Sequence, residues 1–207
     1  MRLVIIGAGG HGKVAADTAE MLGWSDVAFL DASFPDRRRN GAWHILGNLD
    51  LLAELRQARV EIFVAIGTNT TRARIAGAIG GPLATLVHPA ACVSRHATIG
   101  EGTLVAANAV VNAEARIGRG SILNTGCTID HDCEIGEFAH ISPGAHLAGG
   151  VSVGDRSWIG IGSAVRETVS IGADARVGAG ACVVRDVPND VTVTGVPARP
   201  LEKDDAQ

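Results

Sequence analysis

The sequence predicts two unlike parts. A small α/β unit on a parallel sheet covers residues 1–84, a parallel β-helix covers 85–188, and a C-terminal extension and tail cover 189–207. Three observations carry this. Before Pro82, short β-branched runs alternate with helix-like segments. After it, an aliphatic residue recurs every six positions without a break. Only 3% of residues are aromatic while 27 are glycine, so Val, Ile, Leu and Ala must fill the core of a backbone with many tight corners.

In the first part, RLVII (Arg2–Ile6) reads as a buried strand, followed by GAGGHG and a helix-like KVAADTAEMLG that Gly23 stops. VAFLD (Val27–Asp31) and EIFVAIG (Glu61–Gly67) read as further strands, LDLLAELRQ (Leu49–Gln57) and TRARIAGAIGG as helices. Strands alternating with helices give parallel βαβ units. GAGGHG fits GxGxxG at Gly7, Gly9 and Gly12, and Asp31 ends the next strand near the spacing of a ribose-binding acid. A full dinucleotide fold needs two βαβαβ halves, and this segment supplies one. The reading is a half-Rossmann unit, with one phosphate site at a helix N-terminus and one acid for a ribose or base.

Residues 86–187 divide into seventeen hexads, from LVHPAA through TIDHDC to CVVRDV. The second residue is always Val, Ile or Leu, from Val87 to Val183, and the sixth is always small or Val. A period of six fits neither a helix nor plain strand alternation. It is the repeat of a parallel β-helix, each hexad a short strand plus a corner, with three hexads closing a coil of about 18 residues. The second and sixth residues face inward, which puts Cys127 and Cys133 in the core. With no CxxC, the four cysteines read as free thiols in a reducing cytoplasm.

Several classes are disfavoured. The net charge of −4 and the lack of a basic stripe argue against a nucleic-acid partner, and Arg37-Arg38-Arg39 reads as a solvated loop. No apolar run is long enough to cross a membrane, and the run after Arg2 is too short for a signal peptide.

GAGGHGKV after a strand, VAIGTN, HPAA, the hexad region, DHDCEIGEFAHISPGAHLAGGV and TGVPAR together resemble the NeuD/PglD-type bacterial sugar acetyltransferases, from Arg2 to Arg199. The resemblance implies a left-handed β-helix and a homotrimer with active sites between subunits. It also implies transfer of acetyl from acetyl-CoA, with no metal, to the amine of a nucleotide-linked 4-amino-deoxysugar, or to a hydroxyl of sialic acid. The product would enter polysaccharide synthesis.

His131 lies between Asp130 and Asp132 at the corner of its hexad, projecting from the prism. An amine attacking a thioester must shed a proton. A histidine near neutrality, oriented by a carboxylate on its other ring nitrogen, suits that role. The resemblance names His131 as general base and Asp132 as its partner, although adjacency alone leaves Asp130 open. It further implies Gly10, His11, Gly12, Asp31, Ala32 and Gly67 for the sugar-nucleotide, with Asn124 near the sugar. For acetyl-CoA it implies His140, Gly149, Ile161 and Ala179; the plainer reading of His140 is a corner residue packing on the next subunit. Gly149 is one coil above His131, where its N–H could polarise the thioester carbonyl. His44 falls in an expected loop, His88 at a turn, and His96 has no acidic neighbour.

Two other classes compete. A zinc enzyme on the same solenoid would need His131, His140 and His146 to converge, yet no pair of solenoid histidines is separated by a multiple of 18. A non-catalytic nucleotide-sugar-binding solenoid would leave the Asp-His-Asp cluster unexplained. The tail LEKDDAQ reads as frayed.

Overall fold

A computed structural model describes residues 2–57 and 60–201. The tail beyond Leu201 lies outside the described residues. The N-terminal sheet has the order β3-β4-β2-β1-β5. Its strands are β1 (Arg2–Ile6), β2 (Asp26–Leu30), β3 (Arg39–Asn40), β4 (Trp43–Gly47) and β5 (Glu61–Val64). All pair in parallel except β3, which forms an antiparallel hairpin with β4. Helix α1 (Gly10–Met21) buries Ala15, Ala16 and Ala19 against Leu3, Ile5 and Phe29. These alanines let the helix lie close to the sheet. A 3₁₀ turn (Leu49–Leu51), α2 (Leu52–Gln57) and α3 (Asn69–Ile79) complete the unit.

The hairpin corrects two expectations. His44 lies in β4, not in a loop. Arg37 is not simply solvated, because its Nη1 donates to Ala8 O at 2.8 Å and its Nη2 to Asn40 Oδ1. Strand β3 is only two residues long, and Pro35 and Gly41 interrupt the apolar pattern that would announce the hairpin.

From β6 (Leu86–Val87) to β22 (Cys182–Val183), each hexad contributes one two-residue strand. Each strand up to Ala164–Val165 pairs in parallel with the one 18 residues on, as in Val110↔Thr128↔His146, and after it the step shortens to 16, as in Arg176↔Thr192. The result is a three-faced prism. The first face carries Leu86, Leu104, Ile122, His140, Trp158 and Arg176 outward. The second carries Cys92, Val110, Thr128, His146, Ala164 and Cys182. The third carries Thr98, Arg116, Glu134, Ser152 and Ser170. The coil geometry runs on past residue 188: β23 (Thr192–Thr194) adds to the first face beside Arg176–Val177, and β24 (Arg199–Pro200) folds back on it.

Inside, the second and sixth hexad residues form one aliphatic column, with Cys127 and Cys133 fully buried. Burial pushes the Cys127 thiol up to about 12, so it packs as a small apolar group. Corners turn at the fifth hexad residue, which is left-handed from Gly102 (φ 71°) to Gly180 (φ 65°) and includes Asp132 (φ 59°).

The N-terminal unit docks on the first face. Leu86 and Leu104 join its core, and Ile122 is likewise buried although it points out of the prism. Arg72 of α3 is buried at this junction. It reaches back to the β5–α3 loop, donating to Ile66 O (2.8 Å) and Gly67 O (3.1 Å), and forward to Gly120 O and Phe138 O (both 2.7 Å). Asn69 Oδ1 accepts from Arg72 at 2.8 Å, and its Nδ2 donates to Arg156 O at 2.8 Å.

Two measurements test this account. Gly136 has no unusual φ, but a Cβ there would lie 2.6 Å from Asp155 N on the next coil. Gly126→Ala meets nothing and is strained only by its φ of 66°. Chemical denaturation should show Gly136→Ala destabilising by about 2–3 kcal/mol and Gly126→Ala by about 1 kcal/mol. Arg72→Lys keeps the charge on one nitrogen but loses the fork that spans both halves, and should cost about 3 kcal/mol or more.

Candidate active site

The expected residues fall into three groups. The first surrounds the carboxyl ends of β1, β2 and β5. Helix α1 begins at Gly10 with Gly9 as an N-cap lacking a side chain, so its first N–H groups have no side-chain acceptor. Gly12 is required because a Cβ would strike the Gly7 carbonyl, while at Gly9, Gly10 and Gly67 a Cβ would meet nothing. This is an open, positively polarised helix end. Beside it lies a cavity of about 310 Å³, lined by Asp31 and Ala32 together with Gly7, Ile66 and Ile75. Asp31 accepts from Ala8 N at 2.7 Å and Ser33 N at 2.9 Å. Burial pushes this carboxyl up, but the Ser33 and Ala8 bonds outweigh it and hold it below the usual range.

The second group lies where this unit meets the prism. His140 is not a corner residue. It opens a strand of the first face, is buried, and lies 4.1 Å from the Trp158 ring and 6.4 Å from that of His11. The signal was in the sequence: His140 is the first residue of its hexad, a strand position rather than a turn position. Asn124 Oδ1 is taken by Thr125 N at 2.8 Å, which turns its amide towards His140 Nε2 at 3.1 Å. His140 Nδ1 and His11 Nε2 are both buried and find no partner among the described residues. Burial lowers His11 to about 4 and His140 to about 3, with the Arg72 charge adding to both. Both rings are neutral near pH 7 and leave polar atoms unsatisfied, which suits hydroxyl or amine groups of a ligand. Arg72, Asn69 and Trp158 were not among the expected residues.

The third group is on the edge between the second and third faces, where His131 is exposed. Its Nδ1 lies 2.7 Å from Asp132 Oδ2. Asp130 plays a different part. Its Oδ1 accepts the His131 backbone N–H at 2.8 Å and Asn112 Nδ2 at 2.9 Å, which fixes the turn. The Asp132 hydrogen bond first, and the Asp130 charge second, raise His131 above the ordinary histidine value. A Cβ on Gly149 would lie 2.5 Å from His131 Cε1 and 2.7 Å from Nε2, so only glycine leaves room for the ring. Gly149 N–H donates to nothing among the described residues. It occupies the fourth hexad position, where Pro89 and Pro143 stand in other coils.

Ile161 and Ala179 lie one above the other on the edge between the first and second faces, both exposed. His131, His140 and His146 lie on an edge and on two different faces, so they do not converge within one chain.

A family model described as the PglD N-terminal domain matches residues 2–79. The UDP-N-acetylbacillosamine N-acetyltransferase of Bacillus subtilis (strain 168) is 38% identical over 109 residues, a match spanning 50% of each chain. The acetyltransferase domain of PglB from Neisseria gonorrhoeae FA1090, solved with acetyl coenzyme A, is 43% identical with a TM-score of 0.92, covering 97% of this chain and 98% of that one. PerB from Caulobacter crescentus, solved with CoA and GDP-perosamine, is 40% identical with a TM-score of 0.91 over 98% of both chains. With both halves matched at this identity and coverage, the chain belongs to the PglD-type family of sugar acetyltransferases.

Proposed function

We propose that this protein transfers the acetyl group of acetyl-CoA to the 4-amino group of a nucleotide-linked amino-deoxysugar. The observation that carries this reading is the exposed His131–Asp132 pair with the glycine corner stacked over it. The relatives with acetyl coenzyme A, or with CoA and GDP-perosamine, support it.

Asp132 accepts from His131 Nδ1–H, so Nε2 is the acceptor nitrogen. The sugar amine attacks the thioester carbonyl and Nε2 takes its proton as the C–N bond forms. The developing oxyanion finds the Gly149 N–H. The tetrahedral intermediate collapses, the C–S bond breaks, and the proton on Nε2 passes to the CoA sulfur. No step calls for a metal.

The site belongs to more than one copy of the chain. His131 is on the edge opposite the first face, and the helix end and cavity are docked on that face. The prism therefore separates a nucleotide in one copy's cavity from that copy's own base. Packing the His131 edge of one copy against the first face and Ile161–Ala179 edge of another would join all three groups, and a homotrimer closes such contacts by symmetry. The Asn124–His140 pair and His11 would then meet the sugar. No helix among the described residues is long and apolar enough to cross a membrane. The acetyl-CoA and nucleotide-sugar substrates of the proposed reaction lead us to place it in the cytoplasm.

The test is CoA thiol release with nucleotide-linked 4-amino sugars and with sialic acid. His131→Asn should lower kcat by about 10²–10⁴-fold, and turnover equal to wild type would sink the assignment. The wild-type rate should rise with pH through a histidine raised above its ordinary value. Asp132→Asn removes the main cause of that rise, so the acid limb should move to lower pH while kcat falls. Gly149→Ala, by displacing the ring, should lower kcat with little change in thermal midpoint.

A further inference from the structure

The cavity beside Asp31 has walls that take any flat ring and a rim that does not. Ile6, Leu30, Ile66 and Ile75 contribute the aliphatic lining, which holds a base by dispersion without distinguishing one from another. The charged and amide side chains of the lining are Asp31, Asn48 and Asp50, with no Lys or Arg among them. Asp31 is committed to its own loop through Ala8 N and Ser33 N. Asp50 is presented differently. Asn48 Nδ2 donates to its Oδ2 at 2.9 Å while Asn48 Oδ1 accepts its backbone N–H at 3.1 Å, holding the two as a unit at the start of the 3₁₀ turn. Asp50 Oδ1 accepts nothing among the described residues.

On the reading that this cavity takes the nucleoside of the sugar-nucleotide, we infer that Asp50, oriented by Asn48, selects the nucleobase, and that the base is guanine. A carboxylate accepts two parallel donors well. Guanine offers N1–H and the exocyclic amine side by side. Uracil and thymine offer one N3–H flanked by two carbonyl oxygens, so when one carboxylate oxygen accepts N3–H the other faces a carbonyl oxygen. With no cationic side chain on the rim, nothing there offsets that repulsion.

Calorimetric titration of the full chain with GDP, IDP, UDP and dTDP tests this. IDP is guanosine diphosphate's analogue without the exocyclic amine. GDP should bind at least about 10-fold tighter than UDP or dTDP, and about 10-fold tighter than IDP, within the range of one bidentate base contact. Asp50→Asn should bring GDP and IDP together while leaving UDP unchanged, which also shows that the variant is folded. Tightest binding of UDP or dTDP, or equal binding of GDP and IDP by wild type, would overturn the guanine assignment and leave the nucleotide cavity standing. Binding of none of the four would remove the cavity reading as well.

Discussion

The arrangement depends on one buried guanidinium. Arg72 is 1% exposed and its partners are carbonyl and amide oxygens, with no carboxylate among them. Burial pulls its pKa down to about 10, so it remains charged in the interior. A rigid fork can meet such a demand where a flexible ammonium cannot, because its donors point at once to the β5–α3 loop and to corners of the prism. The consequences reach the chemistry. The Ile66 and Gly67 carbonyls of the β5–α3 loop are held, and the N-terminal unit is fixed to one face. The charge also adds to the burial that keeps His11 and His140 neutral. Neutral rings at this junction can give or accept hydrogen bonds from a sugar without competing with His131 for its proton.

Fixing the nucleotide side to the first face has a cost. It places the His131–Asp132 pair on the far edge of the same prism, so on the proposed mechanism the chemistry would need a second copy of the chain. The solenoid suits that division. Up to its last coil it keeps an 18-residue register, so residues far apart in sequence hold fixed heights along an edge: Gly149 above His131, Ala179 above Ile161. On the proposed reading a long, thin acyl donor would lie along such an edge, and the acceptor would enter from a neighbouring copy's docked unit.

The solenoid was the most legible part because one inward position repeated without exception, and the strands fall where the hexads place them. The first strand, the glycine turn and the second strand were legible from β-branched runs and GxGxxG. The β3–β4 hairpin was not, since β3 is only two residues long and Gly41 separates it from β4, so neither strand stands in a periodic apolar pattern. Of the candidate site, the His131–Asp132 contact followed from adjacency, but only geometry separated the roles of Asp130 and Asp132. The docked face does carry a signal in the sequence. Every third hexad opens with Leu86, Leu104, Ile122, His140 or Trp158, bulky residues pointing out of a prism whose other faces open with smaller or more polar ones. The inward period masks this second period of 18. Arg72 had no local signature, because its partners lie up to 67 residues away and are all oxygens that any sequence could supply.

The same corner geometry explains why the proposed base could arise here without disturbing the fold. At each corner the fourth residue projects and its N–H is not needed by the ladder, as prolines at 89 and 143 show. The fifth is left-handed, a conformation Asp and Asn adopt more readily than most residues. A His-Asp pair at positions four and five therefore places the ring in solvent and the carboxylate against its Nδ1 by local geometry alone, at a φ the coil imposes anyway. Neighbouring corners hold Ala113-Glu114, Asp155-Arg156 and Glu167-Thr168 in the same backbone. What sets the His131 corner apart is the coil above it, where the fourth residue is Gly149 and the missing Cβ leaves space for an imidazole. The proposed catalytic motif is thus two residues long in sequence and a third one coil away. This is why a solenoid can keep its fold while its chemistry is rewritten at a single edge.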